Sequence, residues 1–447
     1  MSDALPLPPR PNLEQYKKLA RDFQHACEST DPAAIRQWAA RWLDTLARLH
    51  GTADWPSVKG RENTPEDIER RWNQLKKTNG NVARCTLAGA QFFLAREHGF
   101  TSWPVFARHV QEMARANSSV AAFEAAADAI VTGDAPALRQ LLADHPGLVR
   151  ERSTREHRST LLHYVSANGI ENYRQKTPKN ITEIANLLLD AGAEVDAQSE
   201  AYGGGCTPLG LVATSVHPEK AGVQLALLRL LLDRGASLQH PSAAGNQHSV
   251  VYGCLANGQP AAARFLAELG APLDLISAAA LGRLDPLHSY FDETGAPLPK
   301  TDPKQLATAF LYACGYGSLD AVTFLLDRKV DPASRDDAGQ TGLHWAAWSP
   351  EIDVIKLLLE RGAPIDAKDS RFHATPLDMV LWTWNNSPKE KVRERCYQAV
   401  ALLAQAGSRL DRDHWSDPGT NTSTMLGRID SDPRMLEALR GETPDKH

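Results

Sequence analysis

Residues 160–220 hold the densest set of side chains able to do chemistry: His163, Tyr164, Tyr173, Arg174, Lys176, Tyr202, the run Gly203-Gly204-Gly205, and His217. Arginine clamps an anion with parallel N–H donors, glycine backbone lets a ligand come close, and tyrosine and histidine donate hydrogen bonds. Such a set can hold a small anion, and proton transfer from a histidine or tyrosine would make it an enzyme. Residues 150–179 also carry seven Lys and Arg against three acids. Other chemistries lack their patterns. There is no His-x-x-x-His or His-Glu-x-x-His metal spacing, no Gly-x-Ser-x-Gly nucleophile turn, and no Gly-Lys-Ser/Thr after the tri-glycine. No metal and no cofactor is expected.

The elements that must position these side chains are repeated. Asp336 to Ala347 reads as a turn and a short helix that Thr341 can cap with its hydroxyl. His344, Ala346 and Ala347 keep that helix narrow. Val354, Ile355, Leu357, Leu358 and Leu359 then give a second helix more apolar surface than one helix can bury alone, and Gly362 supplies a left-handed stop. Aligned on Thr341, Thr308 and Thr375 fall 33 and 34 residues away. Further copies start at Thr160 (Leu161-Leu162-His163), Thr207 (Pro208-Leu209-Gly210) and, degenerate, Ser249 (Val250-Val251-Tyr252). The second-helix signature recurs at Leu187-Leu188-Leu189 and Leu230-Leu231-Leu232.

This unit resembles the ankyrin repeat; of the usual Thr-Pro-Leu-His only the proline is replaced, by Gly342. The resemblance implies an all-α ankyrin-repeat solenoid of about eight or nine helix pairs with short β-turns, preceded by a small helical domain. It also assigns His163 to the turn's own hydrogen-bond network, which competes with the ligand reading of that residue.

In ankyrin repeats, the turn before each Thr and the two residues seven and eight beyond it face a concave groove that binds partners. Here those residues include Trp348 with Ser349, and Trp382 with Thr383. Trp348 and Trp382 occupy equivalent places in adjacent repeats and should stack. Tyr316, Trp345, Trp384 and the turn residues Arg371 and Phe372 lie close by in this reading. Exposed Trp, Tyr and Arg clusters anchor protein interfaces. The implied function is a non-catalytic adaptor or scaffold that binds a protein partner through this groove, mainly with its C-terminal repeats. The alternative is a small-anion-binding protein or enzyme built on the insertions near Tyr173 and His217.

Residues 1–117 do not repeat. Helices are expected at about 12–27, 32–50, 65–78 and 82–98, followed by one that Ser102 caps with Pro104 in its first turn. The ending Gly99-Phe100-Thr101-Ser102-Trp103-Pro104 is similar to a helical segment that precedes ankyrin arrays in many bacterial proteins. The array is expected over 118–441. It divides into a cap at 118–150, inserted repeats at 157–240, degenerate repeats at 241–300, regular repeats at 302–410 and a second cap at 411–441, with a flexible tail at 442–447. The two insertions, 169–178 and 215–222, fall at the same place in their repeats and should lie side by side.

Charge excludes little but points one way. The chain's net charge is −5, yet residues 1–117 hold 17 Lys and Arg against 13 Asp and Glu, so the array is acidic and ill suited to nucleic acid. The six cysteines show no Cys-x-x-Cys and are expected to be reduced core residues. No apolar run reaches membrane-spanning length, and Met1 to Pro6 lacks an export signal, so a cytoplasmic location is expected.

Overall fold

The computed structural model describes residues 4–8, 10–50, 63–80, 84–115, 117–239, 249–412, 415 and 423–444. Parts of the expected degenerate repeats (241–248), of the C-terminal cap (413–414 and 416–422) and of the tail (445–447) lie outside them. The chain forms two compact units, Met1–Pro272 and Leu273–His447. Among the described residues all regular structure is helical, with three isolated antiparallel β-bridges at turns.

The first unit opens with α1 (Leu13–Glu28), α2 (Ala34–His50), α3 (Pro65–Thr78), α4 (Leu87–Glu97) and α5 (Trp103–Met113). Their amphipathic stripes converge on Phe23, whose ring lies 4.5 Å from Trp38 and 5.0 Å from both Trp72 and Phe93. Local signals set the starts. Thr64 and Asp67 form a reciprocal capping box on α3, satisfying two N–H groups that helix geometry leaves bare. α4 begins only at Leu87, because Thr86 caps it by accepting from the Gly89 N–H at 3.2 Å. Ser102 sits at the expected cap position of α5 but makes no side-chain bond there; Pro104 alone marks the first turn.

The reduced-cysteine expectation needs one correction. Cys27 and Cys85 are joined by a disulfide across 58 residues. Cys206, Cys254, Cys314 and Cys396 are free and buried. The pairing was illegible because the two residues meet only once α1 and α4 pack.

The repeats of this unit begin with α6 (Ser119–Thr132) and α7 (Ala135–Asp144), joined through Gly133 at φ 78°. A 3₁₀ turn, Leu161–Ser166, replaces the next first helix and pairs with α8 (Ile181–Asp190). Then come α9 (Pro208–Ala213), α10 (Val216–Lys220), α11 (Gln224–Asp233), α12 (Val250–Ala256) and α13 (Pro260–Glu268).

The second unit holds α14 (Leu275–Ala280), α15 (Leu284–His288), α16 (Pro303–Gly315), α17 (Leu319–Asp327), α18 (Gly342–Trp348) and α19 (Ile352–Glu360). It continues with α20 (Pro376–Asn386), α21 (Glu390–Gln405), α22 (Ser423–Asp430) and α23 (Pro433–Leu439). First helices α14, α16, α18 and α20 stack in sequence order, and each packs against the second helix that follows it. Thr341 and His344 tie turn to helix: Nδ1 accepts the Thr341 N–H at 3.0 Å, and Nε2 donates to the Ala374 carbonyl of the next repeat at 3.1 Å. Thr375 does the same with Asp378 in place of histidine, its N–H donating to the carboxylate at 2.8 Å.

Two departures have steric causes. A side chain on residue 342 would meet Phe310 and the Cys314 sulfur at 2.9 Å, so glycine stands where the repeat normally has proline. Thr308 keeps the repeat spacing but caps nothing. Asp302 and Pro303 start α16 earlier, leaving Thr308 mid-helix with its hydroxyl bonded back to the Lys304 carbonyl at 2.9 Å.

Candidate functional site

Two regions compete: the polar set of the first unit and the aromatic set of the second. In the first, the insertion after Gly169 folds back on α6 instead of lining an open pocket. Its 3₁₀ turn, Asn172–Arg174, brings the Arg174 guanidinium to Glu124 at 2.7 Å, to Asp128 at 2.8 Å and to the Glu124 carbonyl at 3.2 Å. Arg155 joins from the preceding loop, bonding Glu124 at 2.5 Å and Glu171 at 2.9 Å. Tyr164 donates to Glu171 at 3.2 Å, and Arg174 lies over the Tyr164 and Tyr173 rings at 5.9 and 5.3 Å.

Electrostatics follows from this packing. Burial alone would raise the Glu124 carboxyl, but Arg155 and Arg174 beside it draw it down to about 2. Glu171 is held well below the carboxylate range by the same two cations against the same burial cost. Burial raises the Tyr164 phenol and keeps it neutral. Every charge here has an internal counter-charge, so the arginine expected to clamp an anion is already neutralised. The anion-pocket expectation therefore finds no support in this cluster.

Its other members are scattered or spoken for. His163 is buried: Nδ1 accepts the Thr160 N–H at 3.1 Å, and Nε2 donates to the Cys206 carbonyl at 3.0 Å. Burial pushes it down to about 4, so it is the neutral repeat histidine. Tyr202 is exposed and donates to Asn168 at 2.6 Å, while Gly204 serves the turn at φ 105°. Lys176 is exposed in the insertion, and His217 is half-buried on α10. Because the first insertion turns toward α6, its arginine does not face the second insertion as expected.

The aromatic set comes out differently. Trp348 at the end of α18 and Trp382 on α20 stack with ring centroids 4.6 Å apart and planes 17° from parallel. They remain 49% and 43% exposed. Thr383 donates to the Trp348 carbonyl at 3.0 Å and locks the two helix ends together. Trp345 is half-buried: its indole N–H donates to Asp336 at 3.1 Å and its ring lies 5.0 Å from Tyr312. Tyr316 and Ser349 are half-buried beside it in sequence register. At the other end of α20, Asp369 accepts the backbone N–H groups of Arg371 and Phe372 at 3.1 and 2.7 Å. That holds Phe372 out at 59% exposure, with the Arg371 guanidinium 4.9 Å from its ring centre.

Trp384 does not belong to this face. It is 5% exposed and packs edge-on against Tyr397 of α21 at 6.5 Å. Two residues turn a helix by about 200°, so Trp382 and Trp384 point to opposite sides. That signal stood in the sequence.

Residues 275–369 match the family described as "Ankyrin repeats (3 copies)". The chain carries ankyrin repeats. Over 68 residues it is 41% identical to inversin of Danio rerio, covering 15% of this chain and 7% of that protein. It is 40% identical over 65 residues to palmitoyltransferase akr1 of Schizosaccharomyces pombe, covering 14% and 10% of the two chains. The longest of the three stretches, 207 residues at 28%, is shared with the ankyrin repeat and KH domain-containing protein mask-1 of Caenorhabditis elegans, over 44% of this chain and 7% of that one. This chain thus spans a tenth or less of each of these relatives. The solved ankyrin domain of human ASB11 aligns over 61% of this chain and 96% of its own, at 20% identity and a TM-score of 0.32. Ankyrin repeats are protein–protein interaction modules. Among the described residues no helix is long and apolar enough to cross a membrane.

Proposed function

We propose that the chain is a non-catalytic ankyrin scaffold that binds a protein partner on the inner helices of its C-terminal repeats, anchored by Trp348 and Trp382. The stacked pair carries this reading. Two indoles left nearly half in water are costly surface, and a patch of this kind ordinarily marks a contact site. Their stacking holds the rings together and the Thr383 bond holds the Trp348 backbone beside α20, so little side-chain freedom is lost on docking. Tyr316 and Ser349 hold the matching register positions of neighbouring repeats, Trp345 lies one turn before Trp348, and Arg371 with Phe372 offers a second anchor in the turn before α20. Trp384 is left out of the site because it is core.

A photo-crosslinking residue at position 349 tests the placement. It should trap a protein, and that protein, once purified, should shift the tryptophan emission of the wild-type chain but not of Trp348→Ala with Trp382→Ala. An equal shift in the double variant would move the contact elsewhere.

A further inference from the structure

We propose that Cys27 and Cys85 form a reversible thiol–disulfide site that staples the N-terminal helices, with a low-molecular-weight disulfide such as oxidised glutathione as its oxidant. The two Cα atoms are 5.5 Å apart, inside the range a disulfide bridges without moving backbone. Both residues are half-buried, so a small reagent reaches them. The remaining cysteines do not compete. Burial pushes the thiols of Cys206, Cys254 and Cys396 up to about 12 and raises that of Cys314 well above the usual thiol range. Since the thiolate is the nucleophile, those four are inert and exchange is confined to one pair.

The fold builds this pair deliberately. Cys27 lies in the last turn of α1, and Cys85 immediately precedes the Thr86 cap of α4. The helices run antiparallel and pack through Phe23 and Phe93, stacked at 5.0 Å. The chain entering α4 doubles under its first turn, with the Thr86 N–H donating to the Arg84 carbonyl at 2.8 Å. A Cβ on Gly89 would sit 2.0 Å from that carbonyl oxygen, so only glycine lets this backbone seat where Cys85 meets α1. The closed loop contains α2 and α3 with Trp38, Trp42, Ile68 and Trp72, all buried in one core. Closing it restricts the unfolded chain and holds that core shut.

The step balances. One cysteine thiolate attacks the oxidant, forming a mixed disulfide and expelling one thiol. The second thiolate attacks the protein-bound sulfur and expels the other. The protein loses two electrons and two protons, and the oxidant becomes two thiols. A dithiol reductant reverses the sequence.

The test uses the full chain, treated with oxidised glutathione or with dithiothreitol, then alkylated natively and mapped by mass spectrometry. Oxidised protein should be two hydrogens lighter, yield a Cys27–Cys85 cross-linked peptide and take no label at either residue. Reduced protein should be labelled at Cys27 and Cys85 and nowhere else, and melt roughly 5–10 °C lower. Cys85→Ser should melt like reduced wild type and ignore the oxidant. Gly89→Ala should slow closure about tenfold or more while both thiols stay open to label. The proposal is overturned by free thiols after oxidation, by a stable glutathione adduct on one cysteine, or by equal melting of the oxidised and reduced wild type.

Discussion

The two candidate regions invert what their residue types suggest. Around Arg174 the first unit gathers arginines, glutamates, tyrosines and a histidine, the vocabulary of a ligand site, and pairs its charges internally. Around Trp348 the second unit gathers large apolar rings, the vocabulary of a core, and leaves two of them in water. The difference lies in what each side chain finds when the chain folds. Glu124 waits 50 residues upstream for Arg174. The Trp348 ring stacks on Trp382 and stays half in water.

The contrast is broken most forcefully at Arg174. Arg174→Ala leaves Glu124 and Glu171 buried beside one cation instead of two. It should cost about 3–5 kcal/mol in urea unfolding of the first unit. A loss near zero would mean that the cluster is hydrated and open after all. Trp384→Ala should cost a similar ~3–5 kcal/mol by hollowing the packing against Tyr397. Trp382→Ala, two residues away, should cost only about 0.5–1.5 kcal/mol, the worth of one aromatic stack. Equal costs would contradict the assignment of the two rings to opposite faces.

Acid should separate the units further. His163 is about 4 when folded against its ordinary 6.5, so the unfolded chain takes up its proton first. Stability present above 6.5 is therefore lost as pH falls toward 4. Glu124, about 2 when folded against an ordinary 4.5, stabilises above 4.5, and that contribution is lost between 4.5 and 2. Protection against hydrogen exchange across Leu161–Ser166 and α6, corrected for the intrinsic rate at each pH, should fall in these two steps. A flat profile from pH 7 to 3 would contradict the buried network. A smaller effect is expected at Gly342, where alanine meets Phe310 and Cys314 and should cost about 1–3 kcal/mol.

Much of the fold was legible because the repeat writes itself in local signals. The Thr–His caps and the glycine stops act within a few residues, and the 34-residue spacing of Thr341 and Thr375 carried the equivalence of Trp348 and Trp382. What stayed hidden depends on distant partners. The fold-back of Arg174 onto α6, the Cys27–Cys85 bond and the crowding of residue 342 by Phe310 are contacts between segments that no local pattern links. Trp384 is the exception, since its separation from Trp382 already assigned it to the buried face.

The most direct measurement compares Trp348→Ala with Trp382→Ala against wild type for partner cross-linking from position 349 and for the urea midpoint. Cross-linking should disappear while the midpoint falls by no more than an unfolding free energy of about 1.5 kcal/mol would move it. Retained cross-linking, or a midpoint that falls as far as that of Trp384→Ala, would contradict a partner site at this pair.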